Sequence, residues 1–120
     1  MTSKIKNFLL WSIAIFLFVE FITDGFFKIH GEGMNSFAAW GYSCSLIGSV
    51  GFFEVITASG LLVPKIRKLA AFFIVSLTCM STYIHIVQQD TLGLLINTMN
   101  LGLAAMVLWY SSEKLHVPLN

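Results

Sequence analysis

Ionisable side chains recur at helical spacing inside apolar segments of this chain. Glu20, Asp24 and Lys28 are four residues apart, on one face of a helix that begins in the apolar run at Phe8. A lipid bilayer makes each of these charges costly unless it faces a bundle interior, pairs with a partner or changes protonation state. The chemistry that they predict is hydrogen bonding to a ligand, with proton exchange as a further use.

Three later apolar segments each carry a stripe of small or polar residues. Their members recur three and four positions apart and are, in chain order, Gly51, Glu54, Ala58, Thr78, Ser81, Thr82, His85, Gly93, Asn97, Asn100 and Ala104. Because polar atoms avoid hydrocarbon, we expect the stripes to converge on the axis of a helix bundle. The predicted ligand-binding or proton-handling set is Glu20, Asp24, Lys28, Glu54, His85, Asn97 and Asn100.

The same residues also have purely structural interpretations, which the sequence leaves open. Asp24 and Lys28 could form a salt bridge at a helix end, and Glu54 could be a neutral acid hydrogen-bonded to Asn97 or Asn100. An interior histidine such as His85 is more often hydrogen-bonded than a ligand to a cofactor. If Glu20 and Glu54 lie close together, burial and repulsion favour a proton on one of them.

Other chemistries find little support in the sequence. No H-x-x-H or E-x-x-H spacing favours a metal site, and a haem would need two axial ligands, for which only His30 and His85 lie on one predicted side. Activated nucleophiles and flavin or nucleotide motifs are also missing from the sequence. Intrinsic catalysis is therefore not expected, although a subunit of a quinone-linked oxidoreductase stays open.

Composition places the chain in a membrane. Hydrophobic residues make up 57% of its 120 residues and charged residues 11%, and the mean hydropathy is +0.82. Apolar segments at 8–27, 42–63, 69–87 and 92–110 predict an all-α, up-down-up-down bundle of four transmembrane helices, one domain over residues 1–120. The lipid bilayer is the expected partner, and nucleic acid is not.

The positions of the cations predict the orientation of the bundle. All but one fall on a single side, namely Lys4, Lys6, Lys65, Arg67, Lys68 and Lys114. Loops rich in Lys and Arg stay cytoplasmic, so both termini are predicted inside, in a bacterial inner membrane. Arg67 is expected to reach the cytoplasmic headgroups and Trp40 to anchor the outer boundary. The connection 30–41 is expected to form an interfacial turn or a lid.

Several short motifs point to a known family. They are Phe37-Ala38-Ala39-Trp40-Gly41-Tyr42, then Gly48-x-x-Gly51-x-x-Glu54-x-x-x-Ala58, and Leu61-Leu62-Val63-Pro64-Lys65-x-Arg67-x-x-Ala70-Ala71. With Gly25-x-x-Lys28 and His85, they resemble the DoxX-like membrane proteins over nearly the whole chain. The resemblance implies a four-helix membrane fold. It also implies either a subunit of quinone-linked sulfur-oxidation or thiol-redox complexes, or a chaperone that assists assembly of membrane receptors.

These observations predict an outward-facing polar pocket that binds a quinone-like or lipid-like molecule, in a protein accessory to a membrane redox system. A non-enzymatic chaperone or assembly subunit, paired with another membrane protein, is the alternative. Proton or ion translocation would need a polar route through the inner half, where the sequence has mostly Phe16, Leu17, Val75 and Val107. The asymmetry therefore favours a pocket over a channel.

Overall fold

A computed structural model describes residues 3–30 and 34–114, of which 34–36 and 112–114 by their backbone only. This part of the chain is all helical and contains no strand. Its five helices are α1 (Ser3–Ile29), α2 (Met34–Ala39), α3 (Cys44–Gly60), α4 (Arg67–Val87) and α5 (Thr91–Lys114). The predicted all-α class is confirmed, and α2 is a helix where the sequence predicted a turn or lid.

Three of the described helices are long and apolar enough to cross a membrane: α1, α4 and the Thr91–Ser111 part of α5. Their outer faces carry large exposed apolar side chains, as Phe8, Phe72 and Leu92 illustrate. Exposed apolar surface of this extent suits contact with lipid tails rather than water. The chain is therefore a membrane protein, as its composition predicted.

Helix α3 is shorter than the predicted span 42–63. It has 17 residues, about 25 Å at 1.5 Å per residue, against about 30 Å of hydrocarbon. Ser43 caps its start, since the Ser43 hydroxyl accepts from the amide of Leu46 at 3.1 Å. After Gly60 the backbone turns through tighter bonds, beginning with Leu61 N to Ala58 O at 3.1 Å. Four complete spans therefore remain a prediction, as do cytoplasmic termini, because residues 1–2 and 115–120 lie outside the described part.

The four long helices form a closed ring. Helix α1 packs against α3 and α5, and α4 packs against the same two helices. The α1–α3 and α4–α5 pairs have the most extensive contacts, and the body measures 52 × 24 × 17 Å. This ring is the arrangement that polar stripes on four helices require if they are to meet at one axis.

One half of the ring is filled by apolar side chains. Leu10, Ala14 and Leu17 recur along α1 and pack with Ile74 of α4 and Val107 of α5, all at most 2% exposed. Such a stripe at three- and four-residue spacing is what a core-facing helix presents. The described bundle is therefore closely packed in this half, where Arg67 is a buried charge, and the acidic side chains Glu20, Asp24 and Glu54 collect in the other.

Arg67 is buried at this apolar end. Phe16 is 43% exposed and turns outward, while its neighbour Leu17 fills the core. Arg67 is 3% exposed, and its predicted contact with the headgroups stays a prediction. Its Nε donates to the carbonyl of Leu61 at 2.7 Å, and its guanidinium lies 4.1 Å from the ring centroid of Trp11. Through these contacts Arg67 links α1 to the α3–α4 connection, while its Nη2 has no hydrogen-bond partner in the described part of the chain.

Candidate functional site: a polar cavity between the helices

The polar half of the ring encloses a cavity of about 280 Å³. All seven residues of the predicted set line it, together with nine others. The predicted seven are Glu20, Asp24, Lys28, Glu54, His85, Asn97 and Asn100. Their convergence on one space is therefore a property of the fold, whereas any role in binding or proton transfer stays a prediction.

An ion-paired triad joins α1 to α3 at the cavity. Lys28 Nζ lies 2.6 Å from Glu54 Oε1 and 2.8 Å from Asp24 Oδ2. The side chains of Lys28 and Glu54 are 12% and 5% exposed, while that of Asp24 is 53% exposed. The helix-end salt bridge is thus present but extends to a buried acid on another helix. The sequence interpretation in which Glu54 binds Asn97 or Asn100 is wrong. Glu54 accepts from Lys28, while Asn97 and Asn100 donate to Gly93 and Glu20.

Two glycines bring that lysine and that acid together. A Cβ added to Gly51 would lie 2.7 Å from the carbonyl oxygen of Gly25, and one added to Gly25 would lie 2.6 Å from the carbonyl oxygen of Gly51. Backbones of α1 and α3 can touch here only because neither residue has a side chain. Lys28 and Glu54 each stand three residues further along, so the close approach sets their separation.

Helix α5 supplies an amide partner for Glu20, which is partly buried. Asn100 Nδ2 donates to Glu20 Oε2 at 2.9 Å, while Asn97 Nδ2 donates to the carbonyl of Gly93 at 2.8 Å. Glu20 and Glu54 therefore share the cavity but are held by different donors, on α5 and α1 respectively. Each acid keeps a defined position without needing the other.

The tight connection from α4 to α5 places a histidine beside a carboxylate. Asp90 N bonds to His85 O at 2.9 Å and Gln89 N to Ile86 O at 3.1 Å, with Gln89 at φ 57°. This is the Schellman pattern that closes a helix C-terminus. The Asp90 side chain then caps α5 through Gly93 N, at 3.3 Å, and its other oxygen lies 2.9 Å from His85 Nδ1. Asp90 was not in the predicted set, because it lies in the short connection 88–91 between two predicted spans.

Aromatic residues from the α1–α3 connection cover the cavity. The ring of Trp40 meets that of His85 edge-on at a centroid distance of 5.5 Å, and Lys28 Nζ lies 5.6 Å from the centroid of Phe37. Both aromatic residues line the cavity. Trp40 is partly buried against His85, and its predicted place at the outer boundary stays a prediction. The three-residue spacing of Phe37 and Trp40, typical of one helix face, was the signal available in the sequence.

The donor set suits an organic molecule better than a metal ion. Among the side chains that the structure describes, no three of the His, Cys, Asp or Glu type are grouped closely enough to hold a metal. The carboxylates are instead spread around a space near the lower end of the ~300–1,000 Å³ typical of small-molecule sites. The arrangement can therefore orient a polar head by several hydrogen bonds.

Comparison with known proteins gives the family. The model of the DoxX-like family matches residues 12–107, which include every residue of the candidate site. No curated protein and no solved structure matches the chain. The matched segment covers most of the sequence and extends from α1 into α5, so it takes in the whole helix ring. This chain belongs to the DoxX-like family of membrane proteins.

Proposed function

We propose that this protein binds a lipophilic molecule inside the membrane, with the polar head of that molecule in the cavity. The observation that carries the proposal is the meeting of ionisable and amide groups from α1, α3, α4 and α5 around one space. Groups of this kind are costly in a bilayer, and a bundle held by packing alone has no need of so many of them. A quinone-like or lipid-like ligand has a polar head and an apolar remainder. The head matches the polar walls of the cavity, and the remainder matches its apolar surroundings.

The cavity is proposed to open toward the extracytoplasmic side. The cations expected on the cytoplasmic side lie at the opposite end of the chain's helices, and the apolar half of the ring lies between them and the cavity. A space closed on one side supports binding and release at a single membrane face. The same closure speaks against a route for ions through the bundle.

In this proposal Glu54 and Glu20 contact the ligand head, while His85 and Lys28 control its entry. Members of a membrane redox system exchange lipophilic quinones, so an accessory role in such a system is the physiological setting that we propose. No step of catalysis is assigned to the chain itself. Its contribution is to hold the ligand in a fixed orientation within the bilayer.

Ligand binding by the full chain in lipid nanodiscs tests the proposal. Molecules retained after mild purification would be identified by mass spectrometry, and their affinity measured for the wild type, Glu54→Gln and His85→Ala. Thr98→Val is the matched control, because Thr98 is exposed on the outer face of α5 and its hydroxyl bonds only to the carbonyl of Leu94 in its own helix. We expect the two cavity variants to bind at least about tenfold more weakly. Equal binding by all four proteins would refute the assignment.

A further inference from the structure

The charges around the cavity are unbalanced. Of the described residues that line it, Glu20, Asp24, Glu54 and Asp90 carry carboxylates, and Lys28 is the one lysine or arginine. With every acid ionised, four carboxylates face one ammonium, and the carboxylates still outnumber the ammonium when the buried Glu54 holds a proton. The electric field of like charges is stronger in a cleft with apolar walls. A cleft of excess carboxylates therefore attracts a cation and repels an anion.

Two buried hydrogen-bond acceptors at the cavity have no donor among the described residues. Glu54 Oε2 and Asn100 Oδ1 are both buried and find no hydrogen-bond partner in the described part of the chain. Their residues are 4% and 5% exposed, and both line the cavity. A buried acceptor without a donor costs about 1–3 kcal/mol, so a ligand that donates hydrogen bonds gains where one that only accepts does not.

Several of the donors at the cavity are already engaged. Lys28 Nζ faces two carboxylates, Asn100 Nδ2 binds Glu20, and Asn97 Nδ2 binds a backbone carbonyl. His85 Nδ1 lies beside the Asp90 carboxylate at 2.9 Å without a well-directed hydrogen bond, and in its protonated form it would also donate to that acid. A quinone, whose ring oxygens only accept, cannot use these three donors without displacing a bond, and is left with groups such as the Ser81 hydroxyl and the Trp40 indole N–H.

Aromatic side chains complete the environment. Phe21, Phe37 and Trp40 line the same space as the carboxylates. The faces of such rings attract organic cations, most strongly when water is excluded. A bare metal ion is a poorer match, because the carboxylates are spread out and the described residues hold no compact group of three metal ligands.

We propose that the ligand of this cavity is a lipophilic amine, bound as its ammonium ion between the carboxylates and the aromatic rings. The inference rests on the proposed ligand pocket, and it replaces the quinone-like ligand proposed above by an amine. The N–H groups of the ammonium bind Glu54 Oε2 and Asn100 Oδ1, and its charge offsets the carboxylate excess. Its apolar part lies against Phe21 and toward the lipid.

The test uses probes that share one shape and differ in charge and hydrogen-bonding groups. Binding of 2-phenylethylamine, 2-phenylethanol and phenylacetate, and of a short-chain benzoquinone, is measured by calorimetry at pH 7 on the full chain in nanodiscs, with empty nanodiscs as the blank. We expect the amine to bind at least about tenfold more tightly than the alcohol, and phenylacetate to bind least. Glu20→Gln should weaken amine binding about tenfold and leave alcohol binding unchanged.

Glu20→Gln is chosen because its amide oxygen can still accept from Asn100 Nδ2, which keeps the α1–α5 bond of the folded protein. Glu54→Gln is the second variant, and Thr98→Val on the outer face of α5 is the control expected to match the wild type. Binding of the alcohol or the quinone as tightly as the amine would overturn the ammonium assignment and leave the proposed ligand pocket standing. If none of the probes binds and no molecule is retained on purification, both the inference and the proposed function fail.

Discussion

Adding one methyl group at Gly51 should separate the two helices that carry the ion-paired triad. The added Cβ would lie 2.7 Å from both the Gly25 carbonyl oxygen and Lys28 Cβ, while ordinary contacts begin at 3.4 Å. Restoring an ordinary contact therefore requires α1 and α3 to move apart by about 0.7 Å. Both close atoms belong to the backbone or to its first side-chain carbon, so no flexible group can turn aside.

The free energy of this change follows from two opposing effects. Forcing an extra methyl group into a closed contact costs about 1–3 kcal/mol. Replacing glycine by alanine within a helix returns up to about 1 kcal/mol. Since the same return applies to Gly48→Ala, Gly51→Ala should have a free energy of unfolding about 1–3 kcal/mol lower than that of Gly48→Ala. Gly48→Ala, one turn away on α3, meets only Lys28 O at 3.9 Å and should leave the protein as stable or slightly more so.

The assay is reversible unfolding of both variants in mixed micelles, followed by circular dichroism and repeated with the amine probe present. Gly51→Ala should unfold first and should also lose ligand affinity, because Lys28 and Glu54 are no longer set by the glycine contact. Equal stability of Gly51→Ala and Gly48→Ala would refute the argument that the backbone contact positions the triad.

Three further substitutions test other contacts by the same unfolding measurement. Gln89→Gly should raise stability by about 1 kcal/mol, because φ 57° strains a residue with a side chain; an unchanged or lower value would contradict the turn geometry. Arg67→Lys removes the Nε donor to a buried carbonyl and should cost about 1–3 kcal/mol, whereas a silent change would mean that the contact contributes nothing. Gly93→Ala places a Cβ 2.5 Å from His85 Nδ1 and should cost about 1–3 kcal/mol, while Gly102→Ala, with nothing within 4 Å, should not; matching losses would argue against a crowded cavity wall.

The sequence was sufficient to assemble the candidate set because helical spacing fixes which residues share a face. Glu20, Asp24 and Lys28 follow one stripe of α1, and such a stripe can be satisfied only by turning inward. The sequence does not identify which donor meets which acceptor. Pairing of Lys28 with Glu54 depends on the distance between two backbones, and that distance is set by a glycine contact between segments 26 residues apart.

The contacts of Trp40 and Arg67 could not be predicted from the sequence. Rules based on membrane depth assign aromatic residues and cations to the interface, and those assignments stay predictions. In the fold Trp40 packs on His85, and Arg67 binds the Leu61 carbonyl and stacks on Trp11. These partners come from other segments, and no single-segment pattern contains that information.

The account depends most directly on a water-accessible cavity that opens on one side of the membrane. The described chain has two free cysteines, Cys44 and Cys79, which are first replaced by serine so that they do not react. A single cysteine is then introduced as Asn97→Cys or Leu95→Cys, and its reaction with a membrane-impermeant maleimide is measured in oriented proteoliposomes. Leu95 is the more exposed residue, at 64%, but faces away from the cavity that Asn97 lines. We predict fast labelling at position 97 from the extracytoplasmic side alone, slowed by bound ligand, and little labelling at position 95. Faster labelling at position 95, or labelling of position 97 from the cytoplasmic side, would contradict the account.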